Sequence, residues 1–195
     1  MMRILRQLAA AIRLLVVMTV LLGFGYPLLI TVIAQSTMPQ RADGSLVRVG
    51  GRVVGSSLLG QSYSGQQWFQ GRPSASDYSG ATSGGTNLAI DDPREVAAVN
   101  ELRQRLLREN PDAVGPVPPD ALTASGSGLD PDISPAYATW QVPRIARLRG
   151  IPVATLTALV ASSVQGRTLG FLGEPRVDVL ELNLRLEGLG GSGSG

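Results

Sequence analysis

From Leu14 to Ala34 the chain reads LLVVMTVLLGFGYPLLITVIA, 21 residues without a charged side chain. As an α-helix, at about 1.5 Å per residue, it spans about 31 Å, close to the thickness of a bilayer's hydrocarbon core. No other stretch of the 195 residues is as apolar. The expectation is a single transmembrane helix over 14–34, a short tip over 1–13 and a body from residue 35 onward. Arg3, Arg6 and Arg13 precede the span, and the first 38 residues hold no acid. The next cation, Arg41, is followed by Asp43. The positive-inside bias therefore places the N-terminus in the cytoplasm and residues 39 onward outside it. Arg13, at the edge, can snorkel its stem to the headgroups. Val32-Ile33-Ala34 resembles a signal-peptide cleavage site, but the apolar run is about twice a usual signal core and carries Pro27 in its middle. Either reading exports the body.

Gly23, Gly25 and Pro27 lie inside the span. Glycine lets another helix approach closely and proline disturbs the helix, so these three are candidate contacts to a membrane partner. The same residues are also simply common in membrane helices. A single span without an intramembrane carboxylate is not expected to transport anything alone.

Composition excludes whole classes of chemistry. All 17 basic residues are Arg, so there is no Lys, and there is no His and no Cys. A Walker lysine, a Schiff base, a Ser-His-Asp triad, an imidazole or thiolate metal site and a disulfide are therefore impossible. Residues 39–195 hold 14 Arg against 15 acids, so the basic balance belongs to the tip. A body this neutral lacks the clustered cations that nucleic-acid binding requires.

The body, 35–187, is long enough for one domain. The Gly/Ser-rich 188–195 reads as a flexible tail or an added linker. Leu46–Val49 and Arg52–Gly55 around Gly50-Gly51 read as a hairpin. Residues 56–92, rich in Ser, Gly and Gln with Tyr63, Trp68, Phe69 and Tyr78 interleaved, read as an ordered, loop-rich surface pinned by aromatics. Asp91 or Asp92, Pro93 and Glu95 start a helix carrying Val96, Val99, Leu102 and Leu106 at helical spacing, and Asn110-Pro111 ends it. Ser134-Pro135 starts a second helix, with Pro143 expected to break or kink it before Arg144. Residues 151–164 read as a third. Val177–Leu186, VDVLELNLRL, alternates like a strand whose phase slips at Val179-Leu180. Strands at both ends with helices between give an α+β class, a single extracytoplasmic mixed α/β domain behind one transmembrane helix.

The most distinctive segment is TASGSGLDPDISP, 123–135. Its glycines could present backbone N–H groups to an anion, but Pro131 and Pro135 remove two donors, and a rigid turn with Asp130 and Ser134 bonding local backbone explains it as well. Asp130 with Asp132, or Asp91 with Asp92, falls short of the about six to eight oxygens that Ca²⁺ takes. Arg72, fixed beside Pro73, suits a bidentate carboxylate, either within the domain or on a partner. Arg72, Ser125, Ser127 and Asp130 are the candidate domain-interface residues. No catalytic residue, metal ligand, nucleotide-binding residue or bound cofactor is assigned.

GRPSA (71–75), SGGTN (83–87), TASGSGLDPDISP (123–135), QVPRIARLRG (141–150) and LGEPRVDVLELNL (172–184), in order over nearly the whole chain, closely resemble the C subunit of the Kdp high-affinity potassium-transporting P-type ATPase. Departures are Asp132 where the family commonly has His, Thr86 where it has Ser and Asp178 where it has Asn. The resemblance implies a bacterial cell-membrane complex with two large partners: a channel-like subunit that binds potassium and a P-type subunit that hydrolyses ATP. It implies a non-catalytic accessory role, a catalytic chaperone raising the hydrolysing subunit's ATP affinity, with ATP implied only for the complex. A chain without Lys cannot carry the Asp-Lys-Thr-Gly motif of the motor. Since ATP is cytoplasmic and the body is placed outside, any effect on ATP affinity is expected to be indirect. The alternative class is an exported, membrane-tethered hydrolase using a carboxylate pair.

Overall fold

The computed structural model describes residues 2–190. It divides into two units between Leu46 and Val47.

The first unit is one helix of 36 residues, Met2–Thr37, and is the one helix among the described residues long and apolar enough to cross a membrane. It consists of α1 (Met2–Val20), a π-helical turn (Leu21–Gly25) and α2 (Tyr26–Thr37). A short α3 (Pro39–Ala42) follows. The π turn has a local cause. In α geometry the ring of Pro27 would press on the carbonyl of Gly23, four residues back. Widening the turn relieves this: the Tyr26 N–H bonds Leu21 O, five residues back. Thr31, Ser36 and Thr37 donate their hydroxyls to helix carbonyls at 2.8, 2.8 and 2.7 Å, which satisfies these three within the helix itself.

The hairpin β1 (Leu46–Val49) and β2 (Arg52–Ser56) starts at the boundary and opens the second unit. Gly50 and Gly51 turn it with φ of 56° and 80°, the paired positive values of a type I′ turn. Residues 57–92 contain no helix or strand. α4 (Pro93–Glu109) is capped by Asp92, whose carboxylate accepts the Arg94 N–H at 2.8 Å. β3 (Asp132–Ile133) leads into α5 (Pro135–Arg149), capped by Ser134 Oγ accepting the Tyr137 N–H at 3.0 Å and stopped by Gly150 at φ 65°. α6 (Val153–Ser163), β4 (Val177–Asp178) and α7 (Val179–Gly190) complete it. Residues 191–195, the rest of the expected tail, lie outside the described residues.

The fold is mixed helix and strand, as the sequence indicates, but two expectations are corrected. α5 runs unbroken through Pro143. The lost N–H strands only the carbonyl of solvent-facing Thr139, while Trp140, Val142, Ile145 and Ala146 hold the helix in the core. The predicted strand over Val177–Leu186 is two residues long. It pairs antiparallel with β3 in the register Asp132↔Asp178 and Ile133↔Val177, and everything after it is helix. Buried Val179, Leu182, Asn183 and Leu186 follow the helical period. The slip at Val179-Leu180 marks the start of a helix rather than a bulge. Its cap is Asp178, whose Oδ1 accepts the Glu181 N–H at 2.8 Å, so Asp178-x-x-Glu181 is a capping pattern hidden inside a β-like string.

The core joins Phe69, Tyr137, Ile145, Leu156, Val177, Leu182 and Leu186, each at most 2 % exposed. Phe69 is the irregular segment's contribution. α4 adds buried Leu106, with Val99 and Leu102 packed against the cluster.

Candidate functional site

The motifs around 71–87 and 123–131 meet in one loop cluster. The Arg72 guanidinium forms an ion pair with Asp130 at 3.0 Å and reaches the Thr123 carbonyl at 3.4 Å. Ser74 Oγ donates to Gly128 O at 2.6 Å and accepts the Tyr78 N–H at 2.9 Å, while the Tyr78 hydroxyl donates to Arg72 O. The Gly84 N–H and the Ser83 hydroxyl both reach Ser127 O, at 2.8 and 3.1 Å. The Ser125 N–H reaches Pro73 O at 3.4 Å. All four domain-interface candidates therefore converge, but they are bound to one another's loops. Arg72 and Asp130 remain about a quarter exposed, at 26 % and 29 %. Ser125 is buried, which removes it from any contact surface.

Several donors an anion nest would use are already engaged: Gly128 N–H by Ser125 O at 3.2 Å, Leu129 N–H by Ser127 Oγ at 3.1 Å and Asp132 N–H by Asp130 Oδ1 at 3.0 Å. Gly128 is held at φ 69°, and a Cβ there would lie 2.9 Å from Gly84 O. Gly128 thus serves close backbone packing.

A second polar assembly lies deeper, and sequence reasoning missed it. Asn183 of α7 grips the backbone of Phe69 at both ends: Oδ1 accepts its N–H and Nδ2 donates to its carbonyl, each at 2.9 Å. Gln141 of α5 grips Gln70 in the same manner, at 2.8 and 3.1 Å. Arg144, 2 % exposed, donates to Asn110 Oδ1 at 2.7 Å, Gln141 Oε1 at 2.7 Å, Trp68 O at 3.2 Å and Gln66 O. The Arg149 guanidinium lies 4.2 Å over the Trp68 ring. The 66–70 segment is held much as a bound peptide would be: buried side chains answer the carbonyls of Gln66, Trp68, Phe69 and Gln70 and the amides of Phe69 and Gln70, and Arg149 donates to Gln67 O at 2.9 Å. Aromatics pin this surface, as expected, but amides fix its backbone. Burial pulls the Arg144 pKa below the usual arginine value, while Tyr137 and Glu109 oppose the shift. Beside this clamp is a polar cavity of about 470 Å³, lined by Tyr63, Arg72, Arg105, Glu109, Tyr137 and Arg144.

β3 and β4 place Asp132 and Asp178 directly opposite each other. Asp132 pairs with Arg176 at 3.0 Å. Asp178, 4 % exposed, has its carboxyl pushed up to about 6 by burial, with the α7 amide bonds pulling down and the charges of Glu181 and Asp132 pushing further up. These acids serve an ion pair and a helix cap. Among the described residues no cluster of three or more acids is arranged to hold a metal ion.

Residues 8–188 match the family described as "KdpC: K+-transporting ATPase, c chain". The chain is similar to the "Potassium-transporting ATPase KdpC subunit" of Sorangium cellulosum, 51% identical over 187 residues, with 94% of this chain and 98% of the relative covered. The protein of the same description from Methylobacterium nodulans is 49% identical over 193 residues, covering 90% and 94% of the two chains. The one from Caldanaerobacter subterraneus is 44% identical over 181 residues, covering 92% and 94%.

Proposed function

The chain belongs to the family of C subunits of the K+-transporting ATPase, an accessory subunit of a potassium uptake complex, and on that premise we propose how it works. It is a non-catalytic, single-pass subunit of the cell membrane. Its N-terminus is cytoplasmic and residues 39 onward are outside. There the domain packs on the outer face of the channel-like potassium-binding subunit. The membrane-facing contacts are Gly23, Gly25 and Pro27, and the exposed edge of the loop cluster, Arg72, Ser127 and Asp130, supplies a further contact. Its effect on the hydrolysing subunit's ATP affinity is a coupling free energy carried through the assembled complex, without direct contact with nucleotide.

The observation that carries this reading is the helix Met2–Thr37, led by Arg3, Arg6 and Arg13 and ending in a domain with no excess of cations. The chain has no Cys, so one introduced thiol is a clean probe. Ala98→Cys lies on the exposed face of α4. In intact cells a membrane-impermeant thiol reagent is expected to label it fully, and protection until the cells are lysed refutes the orientation. The chaperone role is tested by the ATP dependence of hydrolysis in the complex with and without this chain: KM for ATP rises when the chain is missing while residual kcat persists.

A further inference from the structure

The segment between α6 and β4 meets the site above only at its base, where Arg176 pairs with Asp132. Two antiparallel bridges, Gln165↔Arg176 and Thr168↔Leu172, fold it into a hairpin. Gln165 and Arg176 exchange N–H···O bonds at 2.8 and 3.0 Å, and Thr168 and Leu172 exchange two at 2.9 Å. Its tip presents Leu169, Phe171 and Leu172 to solvent, 81 %, 72 % and 59 % exposed. Leu169 stands at φ 55°, in the left-handed region that a leucine side chain enters only at a cost. Neither the exposure nor the conformation serves the fold of the second unit, whose core lies elsewhere.

The charge pattern narrows what this tip fits. The hairpin's two cations are already neutralised, Arg167 by Glu174 at 2.8 Å and Arg176 by Asp132 at 3.0 Å. A loop that inserts among anionic lipid headgroups keeps free cations beside its apolar residues. This one offers an uncharged knob with a hydrogen-bonded, fixed shape. Preorganisation of that kind favours a shaped apolar pocket over fluid lipid.

We propose that the hairpin tip, residues 169–172, is a docking knob that seats in an apolar pocket of another subunit of the same potassium-transporting complex. The proposal rests on the accessory-subunit reading. The test uses the whole complex in mild detergent with Phe171→Ser, the conservative Phe171→Leu and a photoreactive phenylalanine analogue at position 171. Leaving the pocket unfilled in Phe171→Ser is expected to lower recovery of the other subunits about tenfold. Phe171→Leu retains them, the substituted chains melt as the parent does, and light links position 171 to another subunit. Parental recovery with Phe171→Ser, or a cross-link to lipid alone, overturns the knob and leaves the accessory-subunit reading intact. Failure of the unsubstituted chain to recover the other subunits instead removes the premise.

Discussion

Asp178 is a carboxylate placed where its charge is a liability. It caps α7, yet it is 4 % exposed, faces Asp132 across the ladder, and titrates near pH 6 rather than near the usual 3.8. A raised folded-state pKa means that the folded state holds the proton more tightly than the unfolded chain. The associated stability is complete below about pH 4 and is lost as pH rises toward about 6. At about 1.4 kcal/mol per unit, the charged cap costs on the order of 3 kcal/mol well above pH 6. Asparagine keeps the acceptor without the charge. Asp178→Asn is therefore expected to raise the melting temperature at pH 8 and to match the parent at pH 4, and a difference that does not depend on pH refutes the argument. Arg144 shows the opposite dependence on its partners. Arg144→Ala removes the donor that serves Asn110, Gln141 and the carbonyls of Gln66 and Trp68. With those buried acceptors orphaned, denaturant titration is expected to read a loss of about 3 kcal/mol or more. Neither role was legible in the sequence. Arg72 was legible in part: its proline neighbour suggested a fixed guanidinium suited to a carboxylate, within the domain or on a partner, and the structure supplies Asp130, 58 residues away. Gln141, Arg144 and Asn183 drew no role from the sequence, since nothing local tells that a distant irregular segment supplies their partners.

At the scale of elements, legibility follows how local the determinants are. The hairpin at Gly50-Gly51 and the helix starts at Asp92-Pro93 and Ser134-Pro135 are set by neighbouring residues, and all were readable. The short strand at 177–178 and the run of α5 through Pro143 are set by tertiary packing, which overrode β-like alternation and proline's helix-breaking tendency. The π turn has a local cause, Pro27, whose outcome as a widened turn rather than a break was not read from the sequence. Its extra residue rotates α2 by about 100° relative to α1 compared with continuous α-helix. Pro27→Leu removes the cause and lets the turn close to α geometry. If α1 and α2 face one partner together, the variant still inserts as a single span but presents them out of phase. The expected result is weakened co-purification with the other subunits at unchanged helical content, and full recovery of those subunits shows that the π turn has no part in docking.

For the whole molecule, the charge-free run marked a helix long and apolar enough to cross a membrane and the arginine bias gave the expected orientation, because lipid imposes the same length and charge limits on any sequence. The domain's role was not legible in that way, since no residue type in it is restricted to one chemistry. On the proposed reading both units contact one partner complex, and a chain attached to one assembly through both a helix and a domain binds bivalently. Losing one attachment leaves the other held at high effective concentration, so each single loss is partly masked. Pro27→Leu weakens the helix attachment. Asp130→Ala leaves the Arg72 guanidinium without its acid and disturbs the exposed edge of the loop cluster. Each alone is expected to lower recovery of the complex by about threefold to tenfold, and the two together by at least about the product of the single effects. The measurement is co-purification of all subunits over a detergent or salt series, with the melting temperature of each variant as the control for folding. If the double variant recovers no less complex than the weaker single variant, the helix and the domain do not act as separate attachments. The chain would then be held by one unit alone.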